Sequence, residues 1–199
     1  MKNVIKYSKK GILMVTLLAT LLSSAHEVSL FTIKNEAEKI SLTLNVKKGN
    51  LLSIKDDNGI VLYKEHIQKE GVYTKGFDLT SLPNGSYIFE LDKDMEISII
   101  PFSVNASLVS FKKEEEKTIF KPFVRIKDDI VYVTQLTVNK APLKIDMFFA
   151  EGNDFELVYS ENIENIQDIK KVFKLSRLNE GRYKLVLHSE GREYEKIIQ

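Results

Sequence analysis

An internal duplication constrains the fold of this chain more than any other feature of its sequence. Residues 77–91 return as residues 173–187, and both copies carry Leu-x-x-Leu-x-x-Gly-x-Tyr at their centre. At a constant offset of 96 residues, at least nine positions are identical. Upstream the offset falls to 91, which predicts five extra residues in the second copy between Ile145 and Leu157. A repeated segment of this length predicts two copies of one small fold.

Both copies have the pattern of short β-strands separated by polar turns. Alternating apolar residues, as in 40–46, predict strands that bury one face, and Asp-Asn-Gly at 57–59 is typical of a tight turn. No segment has a convincing helical period, and the best candidate, 163–171, is short. The predicted strands are 40–46, 51–55, 60–65, 86–91 and 95–104 in the first copy and 130–138, 143–149, 155–161, 182–188 and 193–198 in the second.

Short strands with frequent turns predict an all-β protein built as two tandem immunoglobulin-like β-sandwich domains. Residues 107–112 and 118–124 predict a further hairpin between the copies, which we assign to the second domain. The expected organisation is a signal peptide at 1–25, a first sandwich at 26–105 and a second sandwich at 106–199. No long Gly-, Pro- or Ser-rich linker separates the two, so restricted motion between them is expected.

The repeated motif predicts a structural role for its tyrosines and glycines. Tyr87 and Tyr183 each begin a strand after a chain reversal, which resembles the tyrosine corner of Greek-key sandwiches. Gly85 and Gly181 would then supply a positive φ. The residues expected in the core are Leu42, Leu44, Ile54, Leu62, Phe77, Leu79, Leu82, Tyr87 and Phe89 in the first copy and Tyr159, Phe173, Leu175, Leu178, Tyr183, Leu185 and Leu187 in the second.

The N-terminus has the pattern of a secretory signal peptide. Four lysines precede the apolar run 11–22, and Ser23-Ser24-Ala25 provides small residues before a cleavage point. Removing residues 1–25 leaves 25 basic against 28 acidic residues, a net charge near −3, which disfavours nucleic acid as a partner. No second apolar stretch of spanning length follows. We expect a periplasmic or secreted protein without a membrane span after cleavage.

Residue types that carry chemistry are few. The absence of Cys excludes disulfides, thiol catalysis and cysteine metal sites, and His26, His66 and His188 have no spacing that suggests a triad or a metal site. The acidic turns 56–59 and 151–154 match ordinary turns better than calcium loops. Glu65 and Glu161 are a duplicated acid pair, which favours a shared structural role. We therefore predict no catalytic, cofactor-binding or metal-binding residue, and no enzyme activity.

The runs Ile-x-Leu-Tyr-x-Glu at 60–65 and Phe-Asp-Leu-x-x-Leu-Pro-x-Gly-x-Tyr at 77–87 resemble small immunoglobulin-like domains of secreted Bacteroidetes proteins. They are similar to the type A sorting domain that ends type IX secretion cargo, and to uncharacterised periplasmic proteins of the same phylum. The terminal Lys-Ile-Ile at 196–198 also fits that sorting domain, whereas its Pro-Asn-Pro opening is absent. The resemblance implies the fold and export, and it carries over no catalytic residue.

Three functions remain open at this level. The first is an exported non-enzymatic module that binds an unknown protein or glycan, or acts as a structural spacer. The second is a sorting function, in which the C-terminal domain is recognised by type IX-like secretion machinery. The third is an enzyme of unknown type, which a cluster of unlike polar residues in a pocket between the domains would support.

Overall fold

The computed structural model describes residues 31–36 and 39–199 of the chain, with side chains from residue 40 onward. In these ranges the regular structure is β-strand, with one 3-10 turn at Lys113–Glu115. The predicted signal peptide, 1–25, lies outside the described residues. No helix in the described ranges is long and apolar enough to cross a membrane.

The first repeat consists of two antiparallel sheets. One sheet has the order β1-β2-β5, and the other has the order β4-β3-β6-β7-β8, with β9 also paired to β7. The strands are β1 (Phe31–Glu36), β2 (Lys39–Val46), β3 (Leu51–Asp56), β4 (Val61–His66), β5 (Gly71–Phe77), β6 (Gly85–Asp92), β7 (Glu96–Asn105), β8 (Leu108–Phe111) and β9 (Lys117–Phe120).

The second repeat has the same strand order. Its three-stranded sheet is β10-β11-β14, and its four-stranded sheet is β13-β12-β15-β16. Strand for strand this matches β1-β2-β5 and β4-β3-β6-β7, so the duplication seen in the sequence is a duplication of topology. The strands are β10 (Phe123–Lys127), β11 (Ile130–Leu136), β12 (Leu143–Ala150), β13 (Glu156–Ile163), β14 (Asp168–Lys174), β15 (Arg182–Ser189) and β16 (Arg192–Ile198).

Strand pairing corrects the alignment of the two copies. Leu52 pairs with Glu65 on one side and Leu91 on the other, and Ile145 pairs with Glu161 and Leu187. Leu52 is therefore equivalent to Ile145, an offset of 93 rather than 91. The expected single insertion is wrong: about two extra residues precede β12, and about three lie between β12 and β13. Each falls in a surface connection, where insertions are tolerated.

Each repeat has its own apolar core between its two sheets. In the first, Leu42 and Leu44 of β2 pack with Phe89 and Phe102 of the facing sheet. In the second, Val131 and Val133 face Ile145 and Leu185 in the same way. Burying one face of each sheet against the other is the defining arrangement of a β-sandwich. The all-β expectation is confirmed, and the arrangement fits an immunoglobulin-like sandwich.

Two predicted core residues are exposed. Leu62 points outward from β4 and is 46% exposed. Tyr159 turns inward on β13 and packs against the Phe173 ring, but it is 38% exposed because one side of this outermost strand has no neighbour. Leu82, Phe173 and Leu178 are half-buried against the cores. The other predicted core residues are buried: Leu42, Leu44, Ile54, Phe77, Leu79, Tyr87, Phe89, Leu175, Tyr183, Leu185 and Leu187.

Four strands in the described chain escape the sequence pattern. They are β1 and β5 and their equivalents β10 and β14, and each pairs over its full length. Only the first two residues of β10 fall within the predicted strand 118–124. β14 even overlaps the weak helix candidate 163–171. In β5 and β14 the inward positions include a lysine, Lys75 or Lys171, so apolar alternation is interrupted. That interruption removes the period-2 signal on which the prediction depends.

The segment between the repeats does not form the expected hairpin of the second domain. β8 pairs with Phe102–Asn105 of β7 and β9 pairs with Glu96–Ile99, so both cover one edge of the same strand. Covering an edge removes a row of unpaired backbone groups that could recruit another chain. The equivalent strand of the second repeat, β16, has no such cover among the described residues.

The repeated tyrosines are buried, and only the first forms the complete corner. The Tyr87 hydroxyl donates a hydrogen bond of 2.7 Å to the Pro83 carbonyl oxygen, while its ring stacks on Phe102. Tyr183 packs against Phe149 with ring centroids 4.9 Å apart, and its hydroxyl makes no such bond within the described chain. At the position equivalent to Pro83 the second copy has Asn179.

The expected positive φ at Gly85 and Gly181 is wrong. In the described chain the glycines with positive φ are Gly49, Gly59, Gly71 and Gly191. Gly181 is required for a different reason, because an added Cβ would lie 2.2 Å from the Ala150 carbonyl oxygen. At Gly85 the nearest atom to an added Cβ is the Tyr87 hydroxyl oxygen at 3.5 Å, which is ordinary contact.

Candidate functional site

The acidic side chains of the two turns singled out from the sequence make local contacts within the protein. Asp56 accepts hydrogen bonds from the amides of Asn58 at 3.0 Å and Ile60 at 2.8 Å, and Gly59 completes the turn with φ +79°. In the second turn, Glu151 forms an ion pair with Arg177. No group of three potential metal-ligating side chains occurs in residues 40–199.

The described histidines lie apart from each other. His66 is exposed at the end of β4, and His188 is half-buried with Nε2 3.4 Å from Asp146 Oδ2. Ser160 donates a 2.6 Å hydrogen bond to the same carboxylate, and Lys144 lies 2.8 Å from it. The serine and the imidazole therefore contact one acid rather than each other, which is not the geometry of a nucleophilic triad. His26 lies outside the described residues.

The duplicated acid of the first repeat is the centre of a hydrogen-bonded cluster. Glu65 Oε2 accepts from Lys75 at 2.7 Å and from the Tyr73 hydroxyl at 2.8 Å, and Tyr63 also donates to it. The hydrogen bonds from Lys75 and Tyr63 lower the pKa of Glu65 to about 2. Glu65 and Tyr63 come from β4, whereas Lys75 and Tyr73 come from β5 of the other sheet. The cluster thus ties the two sheets together where the sandwich is open.

The second repeat carries a smaller version of the same cluster. Lys171 donates to Glu161 at 2.6 Å and Tyr159 donates to it at 2.7 Å, which lowers the pKa of the carboxyl. Ile169 stands where the first repeat has Tyr73. Finding the same acid, lysine and tyrosine at both rims supports the structural role expected for the acid pair. The two lysines were missed from the sequence, although the offset of 96 relates them.

A second kind of cluster joins the two repeats. Glu90 projects from β6 on the face opposite the core, and its side chain is only 5% exposed. Lys55 of the first repeat lies 2.8 Å from Oε1, and Arg192 of the second repeat lies 2.5 Å from Oε2. Burial alone would raise the pKa of Glu90, but the bonds from Arg192 and Lys55 together hold it below its ordinary value.

Apolar and amide contacts surround this ionic junction. Ile97 and Ile99 of β7 form a small buried cluster with Ile119 of β9, also on the outer face of the sheet. From the second repeat, Gln135 donates to the Phe120 carbonyl oxygen at 3.0 Å and to Ser189 at 2.8 Å. The outer face of the first repeat's larger sheet is therefore the surface on which the second repeat rests.

The connection between the repeats is short and anchored. Only two residues, 121 and 122, separate β9 from β10. The Lys121 amide donates to the Met95 carbonyl oxygen at 2.9 Å, and its ammonium pairs with Asp92. A groove of about 450 Å³ runs beside the junction, between Thr118 on one side and Thr137 on the other. Its position is set by the same contacts that hold the repeats together.

The described chain thus presents rim clusters inside each repeat and a buried ionic junction between them. None of these clusters was identified as a site from the sequence, except for the acid pair. No protein-family model matches the chain. No curated protein shows significant similarity to it. What the protein does is therefore inferred from its own residues.

Proposed function

We propose that the chain is an exported, non-enzymatic module of two tandem immunoglobulin-like sandwiches. It binds a protein or glycan partner and holds its two units at a fixed relative position. The predicted signal peptide supports export to the periplasm or the medium. The resemblance to domains of secreted Bacteroidetes proteins supports the same location.

The observation that carries this proposal is the buried contact of Arg192 with Glu90 across the junction. A buried carboxylate is costly unless both of its oxygens are satisfied, and here one cation comes from each repeat. Withdrawing the second repeat would leave Glu90 with Lys55 alone and would remove the hydrogen bond from Gln135 to the Phe120 carbonyl oxygen. A flexible tether between independent modules would need neither feature. A fixed junction is what a spacer or a composite binding surface requires.

The first test is the intact mass of the native protein recovered separately from periplasm, membrane and medium. We expect a species spanning residues 26–199 in the periplasm or the medium. Chemical crosslinking in intact cells should then link it to a small number of partner proteins or to glycan. A membrane species that retains residues 1–25 would contradict export.

The same intact-mass measurement distinguishes the proposed module from the alternative, in which the second domain is a sorting signal. If residues 106–199 act as a type IX-like sorting signal, the surface or medium species will have lost them. The function would then have to reside in residues 26–105 alone. That outcome would contradict the two-unit module, because Arg192 would be absent from the working protein.

A further inference from the structure

The outer face of the second repeat's larger sheet carries a patch of aromatic, aliphatic and basic side chains. Strand pairing places Leu157, Phe148, Lys184 and Ile197 in one row across β13, β12, β15 and β16. Phe155 and Arg182 lie beside the row, and the guanidinium carbon is 5.3 Å from the centre of the Phe155 ring. We call these six residues the basic–aromatic face.

Lys184 is held in position by aromatic rings. Its ammonium lies 4.9 Å from the centre of the Phe148 ring and 5.0 Å from that of Phe155. A ring attracts the charge but cannot accept the ammonium's hydrogen bonds in the way that a carboxylate does. No carboxylate in residues 40–199 lies within ion-pairing distance of Lys184 or Arg182, whereas most other basic side chains on these sheets have one.

The aliphatic members of the face are exposed on either side of this charge. Leu157 is 55% exposed and Ile197 is 38% exposed. A single exposed aliphatic residue is ordinary, but here Leu157 adjoins the Phe148 ring on one side of Lys184 and Ile197 adjoins the lysine on the other. The row therefore combines a fixed cation at its centre with apolar surface at both ends.

The first repeat shows what this face does elsewhere in the same chain. Its equivalent row contains Lys55 and Ile88, beside Glu90, and it is there that Arg192 of the second repeat is received. The larger sheet's outer face is thus a docking surface in the first repeat, where a buried acid meets an incoming cation. In the second repeat Val186 stands in the place of Glu90. There Lys184 and Arg182 have no acid partner in residues 40–199, and the aliphatic residues of the row remain exposed.

The longer connection between β12 and β13 contributes to the difference. It contains Phe155, which lies over Lys184 and Arg182, whereas the shorter first-repeat turn, 56–60, is closed by Asp56. The extra length thus supplies the second aromatic contact of the lysine. The face is a feature of the second repeat alone and not a remnant of the duplication.

We propose that the basic–aromatic face binds an acidic, apolar segment of a partner protein. A carboxylate of that segment pairs with Lys184 and Arg182, and flanking apolar side chains cover Leu157 and Ile197. The complementary charge follows from the two cations that lack an acid, and the docking role follows from the equivalent face of the first repeat. This inference deepens the proposed binding function and rests on it.

The test uses the secreted, isotope-labelled protein and a short synthetic peptide in which glutamate alternates with leucine and phenylalanine. Titration should shift the backbone amide resonances of β12, β13 and β15 saturably. Lys184→Glu should weaken binding about tenfold, as expected for loss of a charge-assisted contact. Lys196→Glu makes the same charge change on an exposed residue that points to the opposite side of β16, and it should leave binding unchanged.

Four results would overturn the inference. They are unsaturable shifts, equal binding of a peptide with lysine in place of glutamate, equal affinity of Lys184→Glu, and shifts of the same amides by a neutral glucan oligosaccharide but not by the peptide. Concentration-dependent self-association abolished by Lys184→Glu would also overturn it, because a second copy would then be the occupant. A photo-crosslinker placed at Leu157 distinguishes this proposal from the proposed function of the whole protein. If partners crosslink to the protein in cells but never through Leu157, the proposed module function stands and the basic–aromatic face is not the binding site.

Discussion

Replacing Gly181 by alanine should destabilise the second repeat, whereas the same change at Gly85 should not. The two glycines occupy the same position of the repeated motif. An added Cβ at Gly181 would lie 2.2 Å from the Ala150 carbonyl oxygen, where real Cβ atoms keep at least 3.0 Å. The neighbour is backbone of β12, so relief requires the β12–β15 pair to separate by nearly 1 Å. At Gly85 the closest atom is 3.5 Å away, and no displacement is needed.

The expected cost at Gly181 is about 2 kcal/mol, within the usual range for overpacking a well-packed region. The assay is equilibrium urea unfolding, in which a slope of about 2 kcal/mol/M converts that cost into a fall of about 1 M in the midpoint. Gly85→Ala should leave the midpoint unchanged or raise it slightly, because alanine reduces the entropy of the unfolded chain. Equal midpoints for the two variants would refute the reasoning.

Three further predictions follow from the polar clusters. Arg192→Ala should lower the free energy of unfolding by about 3 kcal/mol, because it leaves Glu90 without one of its buried partners. Small-angle scattering of this variant should also show a broader range of distances between the two repeats than scattering of the control Arg125→Ala, which changes an exposed arginine. The pKa of Glu65 falls from 4.5 to about 2 on folding, so its stabilising contribution is present above pH 4.5 and is lost as the pH falls toward 2. In Glu65→Gln, the urea midpoint should therefore decrease less steeply with falling pH in this range than in the original protein. An unchanged decrease would contradict this. Tyr87→Phe should cost about 1 kcal/mol by removing the bond to the Pro83 carbonyl, whereas Tyr183→Phe should be nearly neutral in the same unfolding assay.

The repeated motif allowed much of the fold to be predicted, because apolar alternation survives wherever a strand has its core-facing side chains covered. The prediction of strands from apolar alternation failed at β5 and β14, where inward lysines interrupt the pattern. Those lysines have a reason that only the folded chain shows, since they neutralise Glu65 and Glu161 from the opposite sheet. A local pattern cannot report a partner that lies on another strand.

The junction was beyond prediction for a similar reason. Glu90 and Arg192 are 102 residues apart, and neither belongs to a recognisable motif. The duplication itself conceals the contact, because Val186 and Glu96 occupy the equivalent positions in the opposite repeats. Comparing the copies reveals what they share. A contact between them uses residues in which they differ.

The cover of β7 by β8 and β9 bears on the order in which the chain can fold as it leaves the ribosome. Once residue 105 has emerged, the first sandwich contains a counterpart of every strand in the second sandwich. One edge of β7 is then still unpaired, and Ile97 and Ile99 are still uncovered. Fifteen more residues, through Phe120, must follow before that edge is paired. A chain stopped at 105 should therefore aggregate, and one stopped at 121 should stay dispersed. The physical end of the first unit then lies at residue 120, immediately before the short connection that begins the second.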